Sequence, residues 1–285
     1  MPGQGGPAAR SGFARLAVLG SPIAHSQSPV LHRAAYEVLG LDWNYEAVEV
    51  GDGELASFIE GRDATWLGLS LTMPLKRDIL PLLSSRSALV DQTGSANTAL
   101  FTAEGIAGFN TDVFGITQAF ERHGRGALRT VLIIGGGATA ASAVVAARSI
   151  GATRVFLAVR SPERARGLVE IAVAQGVELQ VIELTAVATL DERLDAVVST
   201  IPNGADAAVE FDRDTIVSAA LLDVAYHPWP SRLAERWTGA DCINGLEMLV
   251  LQALAQVRVF VNHDEGVPLP NEARVLAAML ASVDL

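Results

Sequence analysis

One lysine stands at the predicted end of a strand and could transfer a proton. Lys76 is the only lysine among the 21 basic residues of the chain, and the other 20 are arginines. A guanidinium stays protonated at working pH, whereas an ammonium can lose its proton when burial or neighbouring charges favour the neutral amine. Lys76 is therefore a candidate proton donor and acceptor, and the alternative is a solvated surface lysine.

The residues before Lys76 add two hydroxyl groups. A strand is predicted over residues 65–71, with Ser70 and Thr72 on one side of its end. Pro74 then breaks the strand and sets Lys76 on the first turn of a predicted helix. Ligands bind at the carboxyl ends of strands in open α/β sheets, so these three side chains mark a candidate site.

Two further loops carry candidate binding groups. Ser26 and Ser28 follow a predicted strand at 15–20 and can bind a carboxylate or a polyol, although Ser28 is also a natural N-cap for a helix at 29–39. Asn97 and Asp112 lie in loops beside short apolar strands, where turn formation or helix capping is the alternative role. The functional interpretation of Asp112 is a carboxylate that pairs with Lys76, orients it and accepts a substrate hydroxyl.

A glycine-rich turn between a strand at 129–134 and a helix at 141–150 predicts dinucleotide binding. The first glycine makes the tight turn, the second lets a pyrophosphate approach the backbone, and the final alanine allows close helix packing. The amides at the helix start then face the phosphates. The turn comprises Gly135, Gly136, Gly137, Ala138, Thr139 and Ala140.

The end of the next strand, 154–159, predicts NADP rather than NAD. Val159 stands where an NAD site would place an acid to bind the ribose 2′-hydroxyl. Arg160, Ser161 and Arg164 follow, and two guanidiniums with a hydroxyl between them suit a 2′-phosphate. The alternative, solvated arginines at a helix start, is disfavoured because cations gain nothing from a helix N-terminus.

The surrounding elements indicate an α/β fold with parallel sheets, because strands and helices alternate along the chain. Further strands are predicted at 43–50, 179–183, 195–204 and 221–226. Thr200 and Ile201 end one of them on the face where a nicotinamide would lie. A long apolar helix opens at 243 and carries Met248 and Gln252 one turn apart on the same face.

Composition excludes several function classes. A net charge of −11 over 285 residues argues against nucleic-acid and anionic-membrane partners. No apolar run reaches the roughly 20 residues that span a bilayer. Cys242 is the only cysteine, so an internal disulfide is excluded, and no Cys/His pattern suggests a metal. Residues 1–12 are interpreted as a disordered tail rather than a signal peptide, and the protein is expected to be cytoplasmic.

Taken together and in order, these motifs resemble the shikimate dehydrogenase family over nearly the whole chain. They lie at 20–29, 71–76, 95–98, 108–112, 135–140, 160–161, 223–228 and 245–252. The resemblance implies a two-domain α/β protein that reversibly reduces 3-dehydroshikimate to shikimate with NADPH, on the route to aromatic amino acids. It also implies the domain limits: a tail at 1–12, an open α/β substrate domain at 13–112, a Rossmann-like NADP domain at 113–243, and helices at 244–285 that return to the first domain.

The resemblance also implies roles for individual residues. Lys76 and Asp112 would form the catalytic pair, and Ser26 and Ser28 would bind the substrate carboxylate. The groups implied near the ring hydroxyls are Ser70, Thr72, Asn97, Asp112, Tyr226 and Gln252. Beyond the glycine turn and the arginine pair, the implied cofactor contacts are Thr200, Ile201, Val224, Gly245 and Met248.

Two departures from the family pattern and two alternatives remain. Ser70 and Val159 stand where the family commonly has asparagine, which affects one substrate contact and one hydrogen bond to the adenine ribose. A quinate or aminoshikimate dehydrogenase is the alternative within the enzyme class, and Ser26 with Ser28 and Arg160 favours shikimate and NADP. A catalytically idle NADP-binding sensor is the alternative outside it. Both a monomer and a homodimer are compatible with the apolar terminal helices.

Overall fold

The computed structural model describes residues 12–202, 209–238 and 241–285, without the side chain of Arg164. The predicted tail therefore lies outside the described residues except for Gly12, and so does the predicted contact of Arg164. The chain forms two compact units. The first unit combines the chain up to Thr111 with Val250–Leu285, and the second unit is Asp112–Leu249.

Strands and helices alternate through most of the chain, as predicted. The strands are β1 (Ala14–Gly20), β2 (Trp43–Glu49), β3 (Trp66–Leu71), β4 (Ser85–Arg86), β5 (Thr98–Thr102), β6 (Gly105–Phe109), β7 (Thr130–Ile134), β8 (Arg154–Val159), β9 (Glu178–Glu183), β10 (Ala196–Ser199), β11 (Ala220–Asp223) and β12 (Cys242–Asn244). The helices are α1 (Ser28–Leu39), α2 (Leu55–Glu60), α3 (Ala88–Thr93), α4 (Asp112–Arg122), α5 (Ala138–Ser149), α6 (Arg166–Ala174), α7 (Arg213–Ser218), α8 (Gly245–Asn262) and α9 (Glu272–Ala281).

The sheet of the first unit has the order β2-β1-β3-β5-β6-β4. Strands β1, β2 and β3 are parallel, as predicted, but β5 runs antiparallel to both β3 and β6. Between β5 and β6 the cause is a hairpin: β5 ends at Thr102 and β6 begins at Gly105, and so short a connection can join only antiparallel strands. Gly105 has φ +124°, a backbone conformation that favours glycine.

The segment after β3 is a series of turns, so the prediction that Lys76 begins a helix is wrong. The amide of Leu75 donates to the Thr72 carbonyl (2.8 Å) and that of Ile79 to the Leu75 carbonyl (3.2 Å). A second proline at 81 has no amide hydrogen to donate to the carbonyl of Arg77, so α-helical hydrogen bonding does not continue, and Leu80–Leu82 form a short 3₁₀ turn instead. The side chains of Leu75 and Ile79 are fully buried in the core beneath the sheet, and they anchor the turn that carries Lys76.

The sheet of the second unit is parallel throughout, with the order β12-β11-β10-β7-β8-β9. The strand order reverses between β7 and β10, which makes the carboxyl ends of these two strands the switch point where dinucleotides bind in this architecture. The predicted Rossmann-like domain is therefore confirmed. The short strand β12 occupies the first residues of the stretch that was predicted as helix α8.

Within the described ranges, no helix combines the length and the apolarity needed to cross a membrane. Helix α8 is 18 residues long and begins in the second unit, and its later part belongs to the first unit. The first unit is completed by α9, which packs against α1.

Candidate active site

Two loops of the first unit pack together where the parallel strands β1 and β3 end. The amide of Thr72 donates to the Leu19 carbonyl (2.9 Å), and the amide of Ser21 donates to the Met73 carbonyl (3.0 Å). Gly20 allows this approach, because a Cβ there would lie 2.3 Å from Cγ2 of Thr72. The loop that carries the two predicted serines is therefore held beside the loop that carries Lys76.

The serine loop is fixed by one carboxylate. Glu49 accepts hydrogen bonds from the Ser21 hydroxyl (2.6 Å) and from the amide of Ile23 (3.0 Å). Further along the loop, the Ser26 hydroxyl oxygen accepts from the amide of Ser28 (3.3 Å). The N-cap of α1 is the residue at 27, without a side-chain cap, so the alternative role of Ser28 as the cap is wrong. Ser26 is half-buried at the end of the loop, and Ser28 is buried at the first residue of α1.

Backbone hydrogen bonds join the Lys76 turn to the residues that precede β5. The carbonyl of Lys76 accepts from the amide of Ala96 (2.9 Å), and the carbonyl of Asn97 accepts from the amide of Leu71 (2.8 Å). Because β5 is antiparallel to β3, its first residues lie at the edge of the sheet where β3 ends. The half-buried Lys76 and Thr72 are thus held at the same edge as Asn97.

Asn97, Thr111 and Gln252 form a buried hydrogen-bonded cluster at this edge. The Asn97 amide nitrogen Nδ2 donates to Oγ1 of Thr111 (2.9 Å) and to Oε1 of Gln252 (3.2 Å). The Asn97 oxygen Oδ1 accepts from the amide of Thr111 (2.9 Å). Strand β6 is antiparallel to β5, which brings the residues after β6 back to this edge, and α8 supplies the third member. The structure therefore brings together the predicted Asn97 and Gln252.

Asp112 directly follows this cluster in the chain. It is the first residue of α4 and of the second unit, and its side chain is 4% exposed. A carboxylate in the first turn of a helix is favoured by the helix dipole. The position suits either a structural or a catalytic carboxylate.

The glycine turn of the second unit has the geometry of a phosphate site. Gly135 has φ +113°, and a Cβ there would lie 2.4 Å from Oγ1 of Thr200, so only glycine fits. A Cβ on Gly137 would meet no atom within 4 Å, which leaves open space beside its backbone. Helix α5 begins at Ala138 without a side-chain cap, and Ala140 is fully buried. The amides at the start of α5 are therefore available to an anion.

The next strand end carries a cation and no acid. Val159 is buried, and its Cγ1 lies 3.5 Å from the position of a Cβ on Gly136. Arg160 is exposed, and among the described residues it has no ion-pair partner. Ser161 precedes a short 3₁₀ segment that starts at Pro162. The buried apolar side chain of Val159 and the exposed guanidinium of Arg160 together fit the phosphorylated ribose of a dinucleotide.

The loop after β11 is fixed by a buried carboxylate. Asp223 accepts from the Ser231 hydroxyl and from the amide of Ala225 (3.3 Å), and burial raises the pKa of its carboxyl above the ordinary value. Burial likewise raises the pKa of the Tyr226 hydroxyl, which therefore stays protonated at neutral pH. A Cβ on Gly245 would lie 2.3 Å from the carbonyl oxygen of Val224, so α8 can start here only with glycine.

The remaining predicted cofactor residues lie near these strand ends. The Thr200 hydroxyl donates to the Ile134 carbonyl (2.8 Å), which joins the ends of β10 and β7. Ile201 follows it and is half-buried, whereas Met248 in the first turns of α8 is 6% exposed.

Comparison with known proteins agrees with this arrangement. The model of the shikimate dehydrogenase substrate binding domain matches residues 18–99. The NADP(+) shikimate dehydrogenase of Methanococcoides burtonii is 33% identical over 260 residues, which cover 87% of this chain and 92% of that protein. The chain belongs to the shikimate dehydrogenase family.

Family members with solved structures share the fold. The Mycobacterium tuberculosis shikimate dehydrogenase is 37% identical, with a TM-score of 0.79 over 94% of this chain and 99% of that one. The Thermus thermophilus enzyme, solved in complex with NADP(H) and shikimate, is 27% identical, with a TM-score of 0.77 over 94% and 99% of the two chains. The chain also matches the pentafunctional AROM polypeptide of Yarrowia lipolytica at 30% identity, but spans only 17% of its length.

The groups that support Asn97 in this member of the shikimate dehydrogenase family were not predicted from the sequence. Thr98, Thr111 and Gln256 are buried and hydrogen-bonded around it. A signal for Gln256 was present: it stands one turn after Gln252 in the stretch 248–257, whose other residues are apolar. A glutamine that repeats at helical spacing among buried apolar residues indicates a hydrogen-bonding partner inside the protein.

Proposed function

We propose that this chain is an NADPH-dependent enzyme that reversibly reduces 3-dehydroshikimate to shikimate in aromatic amino acid biosynthesis. The observation that carries the proposal is the edge of the first sheet, where Lys76, the serine loop and the Asn97–Gln252 pair are held together by hydrogen bonds. Such a site offers a proton donor, a carboxylate-binding loop and amides for ring hydroxyls. Family membership supports the same reaction. We expect it to take place in the cytoplasm.

The first unit is the proposed substrate domain. Ser26 and Ser28 would bind the carboxylate of the substrate, because they stand two residues apart where a loop fixed by Glu49 leads into α1, and the Ser28 amide donates to the Ser26 hydroxyl. The proposed contacts to the ring hydroxyls are Thr72, Asn97, Asp112 and Gln252, with Tyr226 close to them. The hydroxyl of Ser70 is already engaged inside the protein, donating to Gln256 (2.9 Å).

The second unit is the proposed NADP domain, and the residues present fit that cofactor. The open backbone at Gly137 and the uncapped start of α5 would hold the pyrophosphate, and Arg160 with Ser161 would hold the 2′-phosphate. Gly245 and Met248 at the start of α8, with Val224, would lie along the nicotinamide. When bound, NADPH supplies the hydride for reduction of the substrate ketone.

Lys76 and Asp112 are the proposed catalytic pair. In the direction of reduction, the Lys76 ammonium donates a proton to the oxygen of the substrate ketone as that oxygen gains negative charge. Asp112 orients the ammonium and accepts a hydrogen bond from a neighbouring ring hydroxyl. In the direction of oxidation, the neutral amine accepts the hydroxyl proton again.

A steady-state assay tests the proposal directly. The purified protein would be given shikimate or quinate with NADP or NAD, and formation of the reduced cofactor would be followed by absorbance. We expect kcat/KM to be highest for shikimate with NADP. A preference for quinate or for NAD would contradict the specificity assigned to the serine loop or to Arg160, and no turnover with any pair would favour the sensor alternative.

Two glycine variants are expected to lose different properties: one loses stability, and the other loses affinity for NADPH. Gly135→Ala places a methyl 2.4 Å from Thr200 at φ +113°, a strain of about 1–3 kcal/mol that lowers the thermal midpoint. Gly137→Ala adds a methyl in open space, so its midpoint stays at the wild-type value, but the methyl occupies the room that the pyrophosphate needs. Thermal unfolding and fluorescence titration with NADPH measure both effects. Wild-type NADPH affinity in Gly137→Ala would contradict the proposed phosphate site.

Removal of the Arg160 guanidinium is expected to reduce the preference for NADP. A charge-assisted hydrogen bond contributes about 1.5–3 kcal/mol, so Arg160→Ala should raise KM for NADP by about 10- to 100-fold and leave KM for NAD almost unchanged. Arg166→Ala is the matched control, because that arginine is highly exposed and its ion pair with Glu170, at 3.7 Å, is exposed as well. Equal losses with NADP and NAD in the Arg160 variant would rule out a contact to the 2′-phosphate.

A further inference from the structure

A buried chain of polar side chains runs through the first unit from α1 to Asn97. Its centre is Gln256, which is 2% exposed and lies one turn beyond Gln252 on α8. Six side chains around or linked to Gln256 take part, all of them buried: His32, Tyr36, Tyr45, Ser70, Asn97 and Thr98. Nothing in the proposed chemistry so far requires these groups, apart from Asn97.

The carboxamide of Gln256 forms hydrogen bonds on two sides: its nitrogen donates towards β5, and its oxygen accepts from β3. Its Nε2 donates to the carbonyl oxygen of Asn97 (3.2 Å) and to Oγ1 of Thr98 (3.1 Å). Its Oε1 accepts from the Ser70 hydroxyl (2.9 Å), which in turn accepts from the hydroxyl of Tyr45 (2.6 Å). Each residue therefore donates to the next in the order Tyr45, Ser70, Gln256 and Asn97.

His32 reinforces the orientation of the Gln256 carboxamide. Burial lowers the pKa of His32 to about 3, so the imidazole is neutral and carries one hydrogen. Its Nε2 lies 3.1 Å from Oε1 of Gln256, and its Nδ1 lies 3.0 Å from the hydroxyl of Tyr36. One tautomer satisfies both contacts: Nε2–H donates to Gln256, and Nδ1 accepts from Tyr36. The imidazole also stacks on Tyr45, with 3.9 Å between ring centroids, which limits its rotation.

The orientation of the Gln256 carboxamide determines the hydrogen bonds of Asn97, and Thr98 is the link between them. Because Thr98 Oγ1 accepts from Gln256, its own hydrogen is directed to Oδ1 of Asn97 (2.9 Å). The amide of Thr111 donates to the same oxygen (2.9 Å). With Oδ1 held by two donors, the Nδ2 group of Asn97 is directed to the other side, where it donates to Gln252.

We propose that Gln256 is a positioning residue for substrate binding: it holds the Asn97 carbonyl and the Thr98 hydroxyl, which keeps Nδ2 of Asn97 on the side of Thr111 and Gln252. One hydrogen of Nδ2 stays on Thr111, and the hydrogen that Nδ2 donates to Gln252 here is the one it donates to a ring hydroxyl when substrate binds. This inference rests on the proposed function of Asn97 as a substrate contact. It also gives a role to Ser70, one of the two residues that differ from the family pattern, because its hydroxyl donates to Oε1 of Gln256 from inside the protein.

Two isosteric substitutions test the inference. Gln256→Met keeps the volume and removes both donors, and Thr98→Val keeps the β-branched shape and removes the hydroxyl that links Gln256 to Asn97. Each is expected to raise KM and Kd for shikimate about tenfold, the effect of one misdirected hydrogen bond, while KM for NADP changes less than about twofold. Kd would be measured by calorimetry, so that the result does not depend on turnover.

Tyr36→Phe is the matched control, because it removes a buried hydroxyl from the outer end of the same network. It is expected to lower the thermal midpoint without changing KM for shikimate. If Gln256→Met lowers the midpoint but leaves Kd for shikimate unchanged, the positioning role is wrong, and an equal rise of KM in Tyr36→Phe would overturn it as well. If Gln256→Met does not fold, the Kd of Thr98→Val for shikimate tests the positioning role instead. A wild-type protein that binds shikimate without turnover would refute the proposed reaction, and the Kd comparison would still test this inference.

Discussion

Lys76→Ala is expected to lower kcat for shikimate oxidation by about 10² to 10⁴-fold, the usual contribution of a positioned general acid or base. The turn that carries Lys76 is anchored by the fully buried Leu75 and Ile79, so the substitution should leave the fold intact. Binding of shikimate and NADP should change far less than kcat. Steady-state kinetics together with calorimetric titration of shikimate separate the two effects.

Lys76→Arg distinguishes proton transfer from charge alone. The guanidinium keeps the positive charge but stays protonated at every working pH, so it cannot supply or accept the proton. We expect this variant to be almost as slow as Lys76→Ala. Arg77→Ala removes the neighbouring exposed cation and serves as the control, with wild-type kinetics expected. Substantial turnover by Lys76→Arg would show that the positive charge suffices and that the proton-transfer role is wrong.

The parts of the fold that the sequence predicted well are those set by local pattern. Strand β7, the glycine turn and α5 follow from an apolar run, residues that permit a tight turn and a run of small helix formers. The absence of an acid at Val159 was also visible in the sequence, and the structure shows that side chain buried against Gly136. Periodicity and turn chemistry are local properties, and one sequence is enough to read them.

What the sequence did not predict depends on distant partners. The hydrogen bond between Ser70 and Gln256 joins residues 186 positions apart, and no local signal pairs them. The antiparallel pairing of β5 with β3 is a related case, because strand alternation alone favours a parallel sheet, whereas Gly68 pairs with Leu100 in the antiparallel direction. Because β5 runs antiparallel to β3, Asn97 at its start lies at the edge where β3 ends. The site was therefore identified by residue type, and the network supporting it required the tertiary structure.

Arg258→Ala is expected to be the most destabilising of these substitutions. Arg258 is 8% exposed and forms a two-pronged ion pair with Glu272, with Nε to Oε2 and Nη2 to Oε1 both at 2.7 Å. Its Nη1 also donates to the carbonyl of Glu265 (3.2 Å), so one side chain joins α8, the following loop and α9. The substitution removes two charge-assisted hydrogen bonds, each worth about 1.5–3 kcal/mol, although the half-buried Glu272 keeps part of its hydration. The loss is a large part of the total stability of a typical domain. Urea unfolding at neutral pH measures the loss.

The ion pair also predicts how that loss depends on pH. Burial alone would raise the pKa of Glu272, but hydrogen bonds from Arg258 and from the Leu269 amide outweigh it and hold the pKa below the ordinary value of 4.5. A carboxyl with a lowered pKa in the folded state stabilises the protein above that ordinary value, and the contribution is lost as the pH falls through the folded pKa. The stability difference between wild type and Arg258→Ala should therefore shrink in acid. Arg166→Ala, which removes an exposed pair, should cost under about 0.5 kcal/mol. A difference for Arg258→Ala that stays constant from neutral pH to strong acid would mean that lost packing of the arginine stem, rather than the ion pair, accounts for its effect.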